Sequence, residues 1–185
     1  MKKLLVIAAL ALALPCSATS LIGLFADEYG EQCWSDITPY VEVELYLLAF
    51  LDSDDFNGGL TAAEFKLKNW PVGPSGHVEE IWRSTLLIGD LESDFSIAFY
   101  EAQPGPIVVL GRLKFTMFAE DWIEEGLQIT VVNGNDCDCL VMVNEIFDIV
   151  EAGGLQFTFN CDGDCSCLPG NTPIQSSWSR VKSLY

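Results

Sequence analysis

Residues 52–64 carry the sharpest chemical pattern in this sequence. The spacing Ser53-x-Asp55-x-Asn57-Gly58-x-Leu60-x-x-x-Glu64 matches an EF-hand calcium loop at its third, fifth, sixth, eighth and twelfth positions. The chemistry is sound, because a hard cation takes several oxygen ligands and the glycine allows the sharp turn between them. Two features oppose it. Ser53 stands where the first Asp belongs, with Asp52 one residue out of register. The flanks also alternate with period two, where an EF-hand needs helices. The segment therefore reads as an acidic hairpin loop. Asp52, Asp54, Asp55 and Asn57 make an oxygen set for looser calcium binding, set against simple solvation of the loop, which is the favoured reading. Calcium is the one cofactor the sequence suggests.

A second acidic group, Asn133, Asn135, Asp136 and Asp138 with Asp162 and Asp164, surrounds the cysteines. It reads as a charged, disulfide-stapled turn, with calcium as the alternative. The single histidine, His77, follows Gly73-Pro74-Ser75-Gly76 and reads as a loop residue, because this stretch misses the Gly-x-Ser-x-Gly nucleophile elbow and lacks its strand-to-helix setting. There is no His-Glu-x-x-His, phosphate loop or dinucleotide fingerprint. No catalytic residue is singled out. A carboxylate hydrolase stays open, since a glycosidase needs only two acids at the right separation. Five tryptophans are many for one domain, and aromatic faces serve as platforms for sugars and protein partners. Trp70 and Trp122, at strand ends or in crossovers, are the candidate ligand-binding pair.

The elements that would position these residues begin after a leader. Lys2 and Lys3, the apolar run Leu4–Leu14, Pro15 and the small residues Cys16-Ser17-Ala18 read as a secretory signal peptide over residues 1–18. The expectation is a secreted, periplasmic or cell-surface protein with no transmembrane segment, since no later run approaches the ~20 apolar residues of a span. Export makes the cysteines informative. Cys33, Cys137, Cys139, Cys161, Cys165 and Cys167 remain, and an even count in an oxidising compartment reads as disulfides. Cys137 and Cys139 would share a strand face and so pair elsewhere, with the 161–167 cluster as natural partner, while Cys33 ties down the N-terminal segment. With 27 acids against 9 bases and a formal charge of −18, nucleic acid is excluded as a partner.

Period-two alternation recurs at Val41–Leu51, Ala63–Lys68, Phe95–Tyr100, Val109–Met117, Leu127–Val131 and Leu155–Cys161, with shorter candidates at Val78–Trp82 and Leu140–Val143. Turn signals separate them at Asn57-Gly58-Gly59, Pro71–Gly76, Gln103-Pro104-Gly105, Asn133-Gly134-Asn135 and Gly153-Gly154. The expected fold is all-β, an antiparallel β-sandwich of about eight strands over residues 19–167, stapled by disulfides, with one wet face per sheet. Phe118–Glu125 reads as a helical turn. Residues 168–185 read as a linker and a short amphipathic C-terminal helix on which Trp178, Val181 and Tyr185 are spaced i, i+3, i+7.

Gly58–Leu67 (GGLTAAEFKL) resembles the early hairpin of cohesin-like modules, and Ile107–Val132 resembles the same modules' strand, acidic crossover and strand. Ile22–Asp27 and Trp178–Tyr185 also resemble the ends of small exported bacterial proteins of this kind. The cysteine-rich C-terminal third departs from ordinary cohesins. The resemblance implies an Ig-like, carbohydrate-binding-module-like sandwich that is non-catalytic and binds a protein or carbohydrate at the cell surface. A calcium-dependent adhesion module using Asp52–Asn57 and a carboxylate hydrolase are the alternatives.

Overall fold

The computed structural model describes residues 20–71, 76–118, 126–134, 140–162 and 165–168. The leader, the tail and the Phe118–Glu125 turn beyond Phe118 lie outside them, as do Cys137 and Cys139. Twelve strands follow in order: β1 (Leu21–Phe25), β2 (Trp34–Ser35), β3 (Glu42–Phe50), β4 (Leu60–Lys68), β5 (Gly76–Trp82), β6 (Leu86–Asp90), β7 (Asp94–Gln103), β8 (Ile107–Met117), β9 (Leu127–Val132), β10 (Leu140–Asn144), β11 (Ile149–Gly154) and β12 (Gln156–Phe159). The described residues contain no helix. The count exceeds the expected eight because β1, β2, β6 and β11 carry no polar alternation. Leu21–Phe25, for instance, is buried on both faces.

The strands form a sandwich. One layer runs β5-β8-β3-β1 and the other runs β6-β7-β4-β10-β11. Pairing is antiparallel except for β1 with β11 and β2 with β12. A third ribbon, β9-β12-β2, hangs from the end of β4, whose Leu60–Glu64 pairs with β10 and whose Lys66–Lys68 pairs with β9. Aromatic side chains fill the space between layers. Trp82 of β5 stacks on Phe95 of β7 with ring centroids 4.3 Å apart, and Phe95 meets Phe65 of β4 at 5.4 Å. Phe115 of β8 reaches Phe159 of β12 at 5.8 Å.

Gly153-Gly154 is not a turn, as its composition suggests, but the end of β11. Leu155 alone separates it from β12, so residues 149–159 change partners with a single residue between the two strands. Leu155 N–H donates to Ile22 O (2.8 Å), and Leu155 O accepts from Val131 N–H (3.0 Å). A side chain on Gly154 would collide with the Val131 carbonyl, so the glycine lets two backbones approach. The sequence also underrates β12, where Gln156 and Thr158 are buried together with Phe157 and Phe159. No wet face exists there.

The cysteines meet the expectation in part. Cys33 bonds Cys167, with Cα atoms 5.4 Å apart, and so ties the N-terminal segment to the end of the described chain. Cys161 instead bonds Cys165 within its own cluster, their Cα atoms 6.2 Å apart and within bridging range.

β8 contains a bulge. Opposite β3 the register passes from Leu47↔Gly111 to Leu48↔Val109, so Leu110 is extra. Leu110 and Gly111 both turn inward, and this reverses the strand's phase. Gly111 is opposite Trp82 on β5, whose ring occupies the space a Cβ would need. Gly111→Ala is therefore expected to cost about 1–3 kcal/mol through overpacking. Most of that should return in Gly111→Ala/Trp82→Leu, as read by urea denaturation of the double-mutant cycle. An additive cycle would show that the indole is not what the glycine accommodates.

Candidate functional site

The β3–β4 loop uses much of its polarity on its own geometry. Asp52 N–H donates to Ser20 Oγ (3.0 Å). Asp52 Oδ1 accepts from Asp54 N–H (2.8 Å), and Asp52 O accepts from Phe56 N–H (2.9 Å). Phe56 is buried and anchors the loop to the core, while Asp54, Asp55 and Asn57 stay exposed. Glu64 lies mid-strand in β4, opposite Ser96 and Val141, roughly 13 Å of strand beyond the loop at ~3.3 Å per residue. The EF-hand arrangement is therefore not formed. Among the described residues no three His, Cys, Asp or Glu side chains gather closely enough to share a metal ion.

A residue the motif reading missed ties this loop to the β10–β11 connection. Asn144 is buried; its Nδ2 donates to Asp55 O (3.0 Å), and its Oδ1 accepts from Ile146 N–H (3.1 Å) and Asp148 N–H (2.9 Å). Thr61 Oγ1 donates to Asn144 O (2.8 Å). The next residue, Glu145, lays its carboxyl against Gly58, with Oε2 enclosed and without a hydrogen-bond partner. Asp94 Oδ1, beside Gly134 at the second acidic group, is likewise enclosed and unpartnered. Of that group, Asn135, Asp136, Asp138 and Asp164 lie outside the described residues.

Trp70 is not a platform. It is 7% exposed and packs edge-on against Phe115 at 6.0 Å, because the chain after β4 folds inward over β8. Trp122 lies outside the described residues. His77 sits at the start of β5 rather than in a loop, exposed and opposite Thr116. Asp90 holds its proton less readily than an ordinary carboxyl, because the Ser93 hydroxyl and N–H both donate to it; this is a turn cap.

The largest unexpected feature is the solvent side of the β6-β7-β4-β10-β11 layer. Residues directly paired across antiparallel strands share a face. Pairing joins Leu86 to Ala98, Ala98 to Ala62, Ala62 to Val143 and Val143 to Ile149. These five positions are all apolar and cross five strands. The adjacent row reads Ile88, Ser96, Glu64, Val141 and Glu151 by the same pairings. Leu86 is 55% exposed, Ile88 76%, Tyr100 95% and Ile149 73%. Ile146 and Phe147, in the connection just before Ile149, are also exposed, and Phe147 adopts φ +65°. Ala98, Ala62 and Val143, between Leu86 and Ile149, are half-buried, and exposed apolar side chains grouped on one sheet face mark interaction sites. Sequence periodicity missed it because Leu86-Leu87-Ile88 is an unbroken apolar run and because the wet face was assumed to be polar.

No protein-family model matches the chain, and no curated protein does. Similar solved structures include the third ScaB cohesin of R. flavefaciens, determined in complex with a group 1 dockerin, at TM-score 0.47 and 9% identity over 80% of this chain and 99% of that one. A cohesin module from a Clostridium perfringens family 33 glycoside hydrolase gives 0.43 and 8% over 78% and 99%. The major pilin subunit BcpA of Bacillus cereus gives 0.41 and 8% over 76% and 40%.

Asn144→Asp keeps the acceptor for Ile146 and Asp148 but sets an oxygen against Asp55 O. The expected loss is about 1–3 kcal/mol in urea denaturation, with faster amide exchange across residues 52–59. Unchanged exchange in that loop would show that Asn144 does not hold it.

Proposed function

We propose that this chain is an exported, non-catalytic binding module that docks a protein partner on the solvent side of the β6-β7-β4-β10-β11 layer. The observation that carries the reading is the apolar row Leu86-Ala98-Ala62-Val143-Ile149, with Ile88 and Tyr100 beside it. Tyrosine on a rigid strand is a favoured interface anchor, since it brings large contact area at small entropic cost. The acids Glu64 and Glu151 in the neighbouring row, on a chain of charge −18, fit a partner with basic groups around an apolar centre. The two disulfides support an oxidising compartment, in keeping with a secreted, periplasmic or cell-surface protein.

The test compares wild type, Ile88→Lys/Tyr100→Ala and, as a control on the other layer, His77→Ala, each immobilised against extract of the native cell envelope. A partner on this face is retained by wild type and the control. It should lose about thirtyfold in affinity on the double variant, the effect of a hot spot worth roughly 2 kcal/mol, and weaken with added salt. A partner held equally by all three proteins would overturn the assignment.

One observation favours a second reading, a calcium-dependent form of the same role. Glu145 Oε2 is enclosed without a partner beside the loop of Asp52, Asp54, Asp55 and Asn57. Calcium takes six to eight oxygens, and carbonyl, amide and water oxygens supplement carboxylates. Calcium at a hundredfold over its dissociation constant would add about 2.7 kcal/mol, a rise of several degrees in Tm over EDTA at equal ionic strength. That rise should disappear in Glu145→Gln. Equal melting in calcium and EDTA would exclude the reading.

A further inference from the structure

The bulge in β8 has a second effect, on the opposite side of the molecule from the docking face. Because Leu110 and Gly111 both turn inward, the outward residues Val109 and Arg112 stand three positions apart, and no side chain fills the interval. The resulting half-open cavity has a volume of about 390 Å³ and is lined by Glu28, Tyr46, Ile81, Arg83, Val109 and Arg112, with Trp82 and Gly111 at its floor. Pairing places Tyr46, Arg112 and Ile81 in one row across β3, β8 and β5. The size suits a small molecule.

Its charged groups are held in place. Leu110, the extra residue, accepts the Arg83 N–H through its carbonyl (3.0 Å), so the bulge itself fixes where Arg83 departs. Glu28 rides on a clasped turn: Asp27 accepts N–H bonds from Tyr29 (2.8 Å), Glu31 (3.1 Å) and Gln32 (2.6 Å), and Ala26 N–H donates to Gln32 O (2.7 Å). Arg112 Nη1 pairs with Glu44 Oε1 at 3.0 Å, which among the described residues leaves most of its five donors free. Tyr46 OH donates to Glu44 Oε2 (3.3 Å), and burial together with the Glu44 charge raises the phenol's pKa, so it remains a donor.

Arg83 is different. Among the described residues its guanidinium makes no hydrogen bond or ion pair, in a chain with 27 acids against 9 bases. Glu28 faces the same cavity, and no ion pair joins the two. An acid and a base that line one cavity without closing on each other leave room for a ligand with the reverse charges. A net anion would meet the field of a −18 chain, and a net cation would need no arginine. Ile81 and Val109 supply an aliphatic wall.

We propose that this cavity binds a small zwitterion of the α-amino-acid class, its carboxylate on Arg83 and Arg112, its ammonium on Glu28 and an aliphatic side chain against Ile81 and Val109. The proposal does not depend on the docking face. The test is calorimetric titration of the oxidised protein with L-leucine, isocaproate, which lacks the ammonium, and isoamylamine, which lacks the carboxylate. Saturable binding of leucine is expected, with each analogue weaker by roughly tenfold or more. Arg83→Gln and Glu28→Gln should each weaken leucine by a similar factor, whereas Glu92→Gln, exposed in the turn between β6 and β7, should not. Glu28 and Arg83 are both exposed, so the variants keep the fold, and a thermal melt checks this. The proposal is overturned by the absence of saturable binding with millimolar leucine, by analogues that bind as well as leucine, or by leucine binding that ignores both substitutions.

Discussion

The sandwich depends on one run of backbone, Ile149 to Phe159, that belongs to more than one ribbon. Its first half pairs with β10 on one side and, in parallel, with β1 on the other. Its second half pairs with β9 and β2. Only Leu155 intervenes, and its own N–H and C=O are both taken up by neighbours. The hydrogen-bond ladder therefore passes from layer to layer with both backbone groups of Leu155 satisfied at the crossing, where a buried orphan would be costly. Gly154 makes this possible by letting Val131 approach, and β4 repeats the device by pairing with β10 and then with β9. Strands that change partners are what allow so few long segments to enclose a core of Phe65, Phe95, Phe115, Phe157 and Phe159.

That core sets the character of both outer surfaces. Trp82 is too large for its place in β5 unless β8 contributes a residue without a side chain, and Gly111 is that residue. Accommodating the ring inside and the bulge beside it reverses the phase of β8 and opens a depression outside. On the other layer the inward positions are filled by Phe65, Phe95, Ile97 and Met142, so the alternate positions, Ala62, Ala98 and Val143, carry no burden of core packing. Their apolar character has no explanation in the stability of the sandwich interior, and this points outward, to a contact.

Sequence periodicity recovered β3, β4, β7, β8 and β9 because each has one buried and one wetter face, and alternation is the imprint of that difference. It lost β1, whose residues are buried on both faces, and β6, where Leu86 and Ile88 face solvent although they are apolar. Both failures have one physical root: pattern reports a contrast between faces, not the presence of a strand. Trp70 was misplaced for a related reason, since a residue just past a strand end is as easily turned into the core as out of it. The acidic segment is a loop as expected, but it crosses from β3 in one layer to β4 in the other and closes no hairpin, and Asn144 and Glu145, which meet it from more than 80 residues away in sequence, leave no local signal. The pairing of Arg83 with the bulge is equally non-local, because it depends on a register shift between β3 and β8.

The bond between Cys33 and Cys167 has a mechanical consequence. It closes a covalent ring that contains every strand from β2 to β12, and β1 alone lies outside it. Tension applied to the backbone on the two sides of this bridge therefore bypasses the sandwich. It can strip β1 from β3 and β11, after which the load rests on a sulfur–sulfur bond and not on any ladder. The docking face is built on strands inside the ring and would keep its geometry on a chain under strain, whereas Glu28, which precedes Cys33, would leave the cavity together with β1.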